Sequence, residues 1–346
     1  MRILDLNPLD LGEVDGRHAP GLSAFVAGKW VHGQEAFGMC RRDPQSVRFQ
    51  VWENLSLNPI RLPGGMRHSA DLAAAQLKAL CPDAQKGTWM VLTPAHWQKE
   101  HLQVFLGVAA SCQMDVRVLM PRVLAVNQAL GDRVDQAVGW EWHWHRLSKV
   151  NLERSEGGWR LGAVTEVAEA GVMDFYRRES REIARMALES HRLDPLHTGE
   201  TEQDLFESWW QWHQGKGDFS FSAGGVTMDF SSEADQLRSL HAMMPATAMG
   251  KGPEMLVHGL GWPTDFVEVF SAQGLEGRLG DLSEPGARWK ECLPVGKGFA
   301  ETTLPVTHVV VDGIAEPVGE RAGLVLGQRV QLADGRDALA IHVPEA

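Results

Sequence analysis

Tyrosine occurs once in these 346 residues and cysteine four times, and no apolar run is long enough to span a bilayer. Each shortage excludes something. Cys40, Cys81, Cys112 and Cys292 are scattered and form no CxxC pair. That pattern fits buried thiols in a reducing compartment better than a disulfide framework or a zinc site. The opening Met1-Arg2-Ile3-Leu4-Asp5 meets an acid too soon for a signal peptide. Membrane insertion needs about 20 consecutive apolar residues, so a cytoplasmic protein is the expectation. Positive charge is also short: 33 Lys and Arg stand against 45 Asp and Glu, a formal net charge of −12. A general nucleic-acid binder needs a basic surface, so none is expected here.

What is present is ordinary for a soluble globular chain, with 44% hydrophobic and 23% charged residues. The length exceeds what one hydrophobic core usually organises, which favours two lobes. Thirteen tryptophans against the single tyrosine is unusual. Tryptophan fills cores or anchors interfaces.

Read in order, Arg2 to Asn7 and Leu9 to Val14 form two strands around Pro8. Leu22 to Val26 is a third, turning at Ala27-Gly28-Lys29 into Trp30-Val31. Gln34 to Cys40 reads as a short helix, and Val47 to Trp52 alternates like a half-buried strand. Ser69 caps a helix carrying Leu72, Ala73, Leu77 and Leu80 at helical spacing. Trp89-Met90-Val91-Leu92 is wholly apolar, as in a central strand covered on both faces. Thr93-Pro94 opens the next helix; Asp115 to Met120 is a strand and Val123 to Leu130 a helix.

The second half repeats the plan. Strands at Val134 to Leu147, Lys149 to Arg154 and Trp159 to Val167 precede helices at Met173 to Ser190 and Glu202 to His213. Phe219 to Phe221 pairs with Thr227 to Phe230, Glu233 to Met243 is helical, and Met255 to His258 is a short apolar strand. Val306 to Val311, Leu324 to Leu326, Val330 to Leu332 and Ala338 to Val343 make a β appendage.

Two halves that each begin as a β-meander and continue as alternating strands and helices resemble the actin, DnaK-chaperone and sugar-kinase superfamily. The local matches are Thr93-Pro94-Ala95-His96-Trp97, Met120-Pro121-Arg122-Val123-Leu124-Ala125, and Leu256-Val257-His258-Gly259-Leu260-Gly261-Trp262-Pro263. The resemblance implies an α/β, two-lobed actin-like (ribonuclease H-like, duplicated) fold over 1–131 and 132–290. The appendage at 305–346 lies outside it. It also implies an ATP and magnesium cofactor wherever nucleotide binding is retained. Asp5 and Glu141 would then be the catalytic, metal-holding acids. Asn7 would sit in the first phosphate turn, and Gly259, Gly261, Trp262 and Pro263 would face adenosine.

The residues that carry this chemistry depart from the family pattern. The first turn, Asp5-Leu6-Asn7-Pro8, keeps the acid but lacks the glycine, and Pro8 has no N–H to offer phosphate. In the second turn Glu141 takes the position of the acid, and Trp142-His143-Trp144 stands where glycines belong. Met120 replaces the glutamate that would orient water. The expectation is a degenerate member with little or no ATP hydrolysis, a scaffold whose partner is another protein. The alternative is an ATPase or kinase with relocated motifs.

Other candidates have two readings each. Asp5 is either a residual metal-shell ligand or a strand-ending polar residue. His143 and His145 would share one strand face, as metal ligands or as cross-strand packing. Arg178, Arg181, Arg185 and Arg192 clamp an anion or pair with local acids such as Glu182 and Glu189. Trp209, Trp210 and Trp212 are core or an exposed binding patch, with Trp212 the interaction residue to test.

Overall fold

The computed structural model describes residues 2–14, 16–123, 136–155, 158–214, 219–231 and 237, and the strands 254–257, 278–280, 308–311, 314–317, 329–331 and 337–341. Expected helices at Val123 to Leu130 and Glu233 to Met243, and the strand Leu324 to Leu326, lie mostly or wholly outside them. The fold is mixed α/β with several sheets.

The chain starts with β1 (Arg2–Asp5), β2 (Leu11–Glu13) and β3 (His18–Ala19), an antiparallel meander. Next come β4 (Ser23–Val26), β5 (Lys29–His32), the single-turn α1 (Gln34–Phe37) and β6 (Val47–Arg48). The β4–β5 turn has Ala27 and Gly28 at φ 50° and 83°. A two-residue hairpin needs this left-handed backbone, and glycine supplies half of it without strain. The alternation across Val47 to Trp52 produces only the two-residue β6, because the chain turns through 51–54.

Helix α2 (Ser69–Leu80) is capped from within. Asp71 Oδ2 accepts the Arg67 and His68 N–H groups at 2.7 and 3.0 Å. The N-cap is His68, and the expected cap Ser69 instead accepts the Ser56 N–H, tying down the preceding loop. β7 (Thr88–Thr93) is the central strand that its apolar run implies. The following helix, α3 (Lys99–Ser111), starts later than Thr93-Pro94 indicates. A turn closed by Trp97 N–H to Pro94 O at 3.2 Å comes first. β8 (Asp115–Pro121) completes a five-stranded sheet of order β3-β2-β1-β7-β8, with β1, β7 and β8 parallel.

The same plan recurs. β9 (Gln136–Trp142), β10 (Leu147–Ser155) and β11 (Gly158–Val167) form an antiparallel meander. Helices α4 (Val172–His191) and α5 (Gly199–His213) and the hairpin β12 (Ser220–Ala223) with β13 (Val226–Asp229) follow. β14 (Glu254–Val257) and β15 (Arg278–Gly280) then add in parallel, giving β11-β10-β9-β14-β15. The tail holds a separate antiparallel sheet, β17-β16-β19-β18, from β16 (His308–Val311), β17 (Ile314–Pro317), β18 (Arg329–Gln331) and β19 (Asp337–Ile341).

One core lies under the first sheet and holds Leu4, Trp52, Leu77, Trp89 and Phe105. The larger core crosses the expected 131/132 boundary. It joins Leu22, Val31, Phe37 and Val47 to Trp140, Trp144, Tyr176, Phe206 and Trp209. The boundary separates two sheets, but not two cores. Gln203 of α5 ties the halves further, accepting the Arg41 N–H at 2.7 Å and donating to Phe37 O at 3.0 Å.

Candidate functional site

Parallel strands end together, so β1, β7 and β8 deliver their C-terminal residues to one place, and Glu141 near the end of β9, a strand of the second sheet, reaches it through the Ala95 N–H. That is where ligands sit in open α/β sheets. Here the place is filled by side chains. Asp5, ending β1, is buried and accepts a 2.9 Å bond from Arg122 Nε, just past β8. Asn7 folds its turn on itself: Oδ1 accepts the Leu9 N–H at 3.1 Å and its carbonyl the Asp10 N–H at 3.1 Å. The Pro8 carbonyl takes two donors at 2.8 Å each, the Gly21 N–H and the Trp144 indole N–H.

Trp144 lies in the β9–β10 turn, closed by His143 N–H to Arg146 O at 2.8 Å. It is fully buried against Phe49 and Trp210. The carbonyls of His143 and Trp144 accept the first N–H groups of α4, from Val172 at 3.1 Å and Met173 at 2.8 Å. This helix start is therefore satisfied by the hairpin. Gly171 permits the approach, since a Cβ there would lie 2.4 Å from the His145 carbonyl carbon. His143 and His145 thus belong to a turn, not to one strand face. His143 packs on His96 with ring centres 4.9 Å apart, and His145 on Phe49 at 5.3 Å.

Two carboxylates cross the junction in opposite directions. Glu141 Oε2 accepts the Ala95 N–H at 2.7 Å, and Glu53 Oε1 accepts the His145 N–H at 3.2 Å. Burial raises both, each to about 7, against the backbone N–H bonds and nearby arginines that favour the ion. Burial also raises Asp5, opposed by the Arg122 charge. His96 is driven down to about 3 by burial and the Arg146 charge, and His143 well below its ordinary value by burial and then by His96. Apart from the Asp5–Arg122 pair, this interior resists charge. His96 Nε2 lies 3.1 Å from the Glu53 carbonyl, so it carries the proton and leaves Nδ1 as acceptor. Asp5 Oδ1, Arg122 Nη2, Glu141 Oε1, His96 Nδ1 and both His143 nitrogens have no protein partner among the described residues.

These residues do not fit the magnesium that the resemblance implies. Asp5 already faces a guanidinium, and no group of three or more His, Cys, Asp or Glu among the described residues could hold a metal. Met120 is buried, and its carbonyl accepts the Thr93 hydroxyl at 3.4 Å. Gly259, Gly261, Trp262 and Pro263 lie outside the described residues; the strand before them, β14, pairs in parallel with β9. Trp212 is 4% exposed, stacked 4.9 Å from Phe219, so it is core and offers no patch. Trp209 and His213 both bond Glu179 Oε2, at 2.8 and 2.9 Å. On α4, Arg185 pairs with Glu182 and Glu189, which removes it from an anion clamp.

The structure thus brings Asp5, Asn7 and Glu141 to one junction. It adds three residues that the sequence reading passed over as site residues: Arg122, Glu53 and His96. Arg122 had one readable signal, an arginine directly after an apolar parallel strand and its proline. Glu53 and His96 had none, since each is recruited by a distant turn. No protein-family model matches the chain, and no curated protein matches it either.

Proposed function

We propose that this chain is a non-hydrolysing relative of the actin, DnaK-chaperone and sugar-kinase proteins that works as a scaffold for a protein partner. The shared order of the two five-stranded sheets, each a meander followed by two parallel strands, supports the two-lobed reading. The observation that carries the functional part is the filled junction. The Arg122 guanidinium stands against Asp5, and the Trp144 indole is bonded to the first turn. A nucleotide phosphate would have to break a buried ion pair and unpack a buried tryptophan, each step costing about 3–5 kcal/mol.

Calorimetry with ATP and magnesium, coupled to a phosphate-release assay, tests this. The expected result is no saturable heat at millimolar ATP and no turnover. Micromolar binding with steady turnover would overturn the scaffold reading in favour of an ATPase or kinase. In that case Asp5→Ala would abolish turnover, and the adenosine contacts would fall to Gly259, Gly261, Trp262 and Pro263.

A further inference from the structure

A cleft of about 580 Å³ opens on the outer side of the same junction. Its apolar lining is Val47, Phe49, Val51, Ile60 and Leu72; Arg48, the His145 ring and five neutral polar side chains make up the rest. The cleft therefore draws on the segment after β6, on α2, and on the β9–β10 turn. Phe49 joins it to the interior, packing on Trp144 at 5.8 Å.

Two features say what would fit. Apolar surface is concentrated at this edge. Leu57, 61% exposed, and Ile60, 43% exposed, are two of only four large hydrophobic residues exposed among the described residues. Both stand on an irregular loop that the Ile60 N–H to Arg67 O bond, 2.8 Å, folds back on itself. Unpaired positive charge is concentrated there as well. Arg48 lines the cleft and spends Nη1 on the Gln45 and Val47 carbonyls. Arg61 follows Ile60, and Arg67 is its backbone partner; both are exposed. None of the three pairs with a carboxylate among the described residues. The nearby Asp71 is engaged by the backbone N–H groups of Arg67 and His68, and the Glu53 carboxylate by the His145 N–H. In a chain of net charge −12, Arg48 in the cleft and Arg61 and Arg67 on the loop that carries Ile60 gather three arginines at one edge, with Asp71 the acid beside them.

We propose that this cleft docks a polypeptide segment of the scaffold's partner, one that carries apolar anchors flanked by aspartate or glutamate. The inference rests on the scaffold reading and supplies its binding site. The apolar lining takes the anchors, and the arginines steer and orient the acidic flanks. A purely ionic ligand, such as inorganic polyphosphate, would use the arginines but leave Ile60 and Leu57 unused.

A peptide-display library selected against the intact chain provides the test, followed by fluorescence anisotropy of labelled winners. Enrichment of sequences that combine apolar residues with Asp or Glu is expected. Their affinity should fall about tenfold in Ile60→Asp and again in the Arg61→Glu/Arg67→Glu double variant, and should weaken with added salt. All three positions are exposed, so the variants should keep the wild-type circular dichroism. No enrichment, winners lacking acidic residues, or unchanged affinity in both variants would overturn the proposal. So would a thymidine oligonucleotide that displaces the winners. ATP turnover by the wild-type chain would remove the scaffold reading while leaving the peptide result standing. Loss of the peptide result would remove the cleft alone.

Discussion

The turn after β1 and the turn after β9 hold the same position in two sheets of the same order, yet they are buried by opposite means. The first is compact. Leu6, Asn7 and Leu9 are buried, Asn7 satisfies two of the turn's own N–H groups, and one carbonyl, that of Pro8, serves as an acceptor for distant donors. The second is bulky. Trp144 and His143 occupy the interior, and the turn's carbonyls are given to the start of α4. Most turns lie on the surface because buried backbone groups need partners. These two solve that problem jointly, since the tryptophan of one is satisfied by the carbonyl of the other.

The comparison breaks most severely where a charge is left alone. Arg122→Met strands the buried Asp5 and should cost about 3–5 kcal/mol in urea unfolding, while Asp5→Leu/Arg122→Met should recover most of it. A loss below about 1 kcal/mol would mean that Asp5 simply takes up a proton or water.

The next effect is a pH slope. Glu53 and Glu141 titrate near 7 in the folded chain and near 4.3 unfolded. The native state therefore binds more protons over that window, and this pair makes stability fall as pH rises through it. His96, near 3 when folded, and His143, also lowered, have the reverse sign, so their contribution falls as pH drops below about 6.5. Between about pH 4.5 and 6.5 the two pairs oppose each other. Glu53→Gln/Glu141→Gln removes this pair and leaves the histidines opposed only by Asp5 among the junction's buried acids. Its stability should climb with pH more steeply than wild type, by up to roughly 2.8 kcal/mol per pH unit. Parallel wild-type and variant curves would show that the carboxylates are ionised throughout.

Smaller still is Trp144→Phe, which keeps most of the packing but loses the bond to Pro8 O. About 1 kcal/mol is expected from the denaturation midpoint. Equal losses for Trp144→Phe and Trp144→Ala would mean that the indole N–H, and not the ring, holds the turns together. Arg185→Ala, on the ion-paired outer face of α4, should leave the midpoint unchanged within error.

How much of this was legible follows from distance along the chain. The Ala27-Gly28 turn, the apolar β7, and the helices near 173–190 and 202–213 are set by neighbouring residues, and their positions were read to within a few residues. Asp5 and Glu141 were located, but not their use. Arg122 lies 117 positions from Asp5, and Ala95 lies 46 from Glu141, so no local pattern records either bond. The delayed start of α3 has the same origin. The turn at Pro94–Trp97 presents the Ala95 N–H to Glu141, a service that helix-start signals do not encode. Trp212 was ambiguous because a tryptophan at helical spacing marks equally well a core or an interface until its neighbours, here Phe219 and His213, are known.

The doubly used carbonyl of Pro8 has a consequence for synthesis. A nascent chain emerges from its N-terminus, and units that can close alone fold first. Here the eighth residue waits for the hundred and forty-fourth, and the apolar faces of Leu22, Phe37 and Val47 wait with it for Trp140 and Phe206. Residues 1–131 leave the ribosome with the larger of the two cores formed by the described residues still missing its other half.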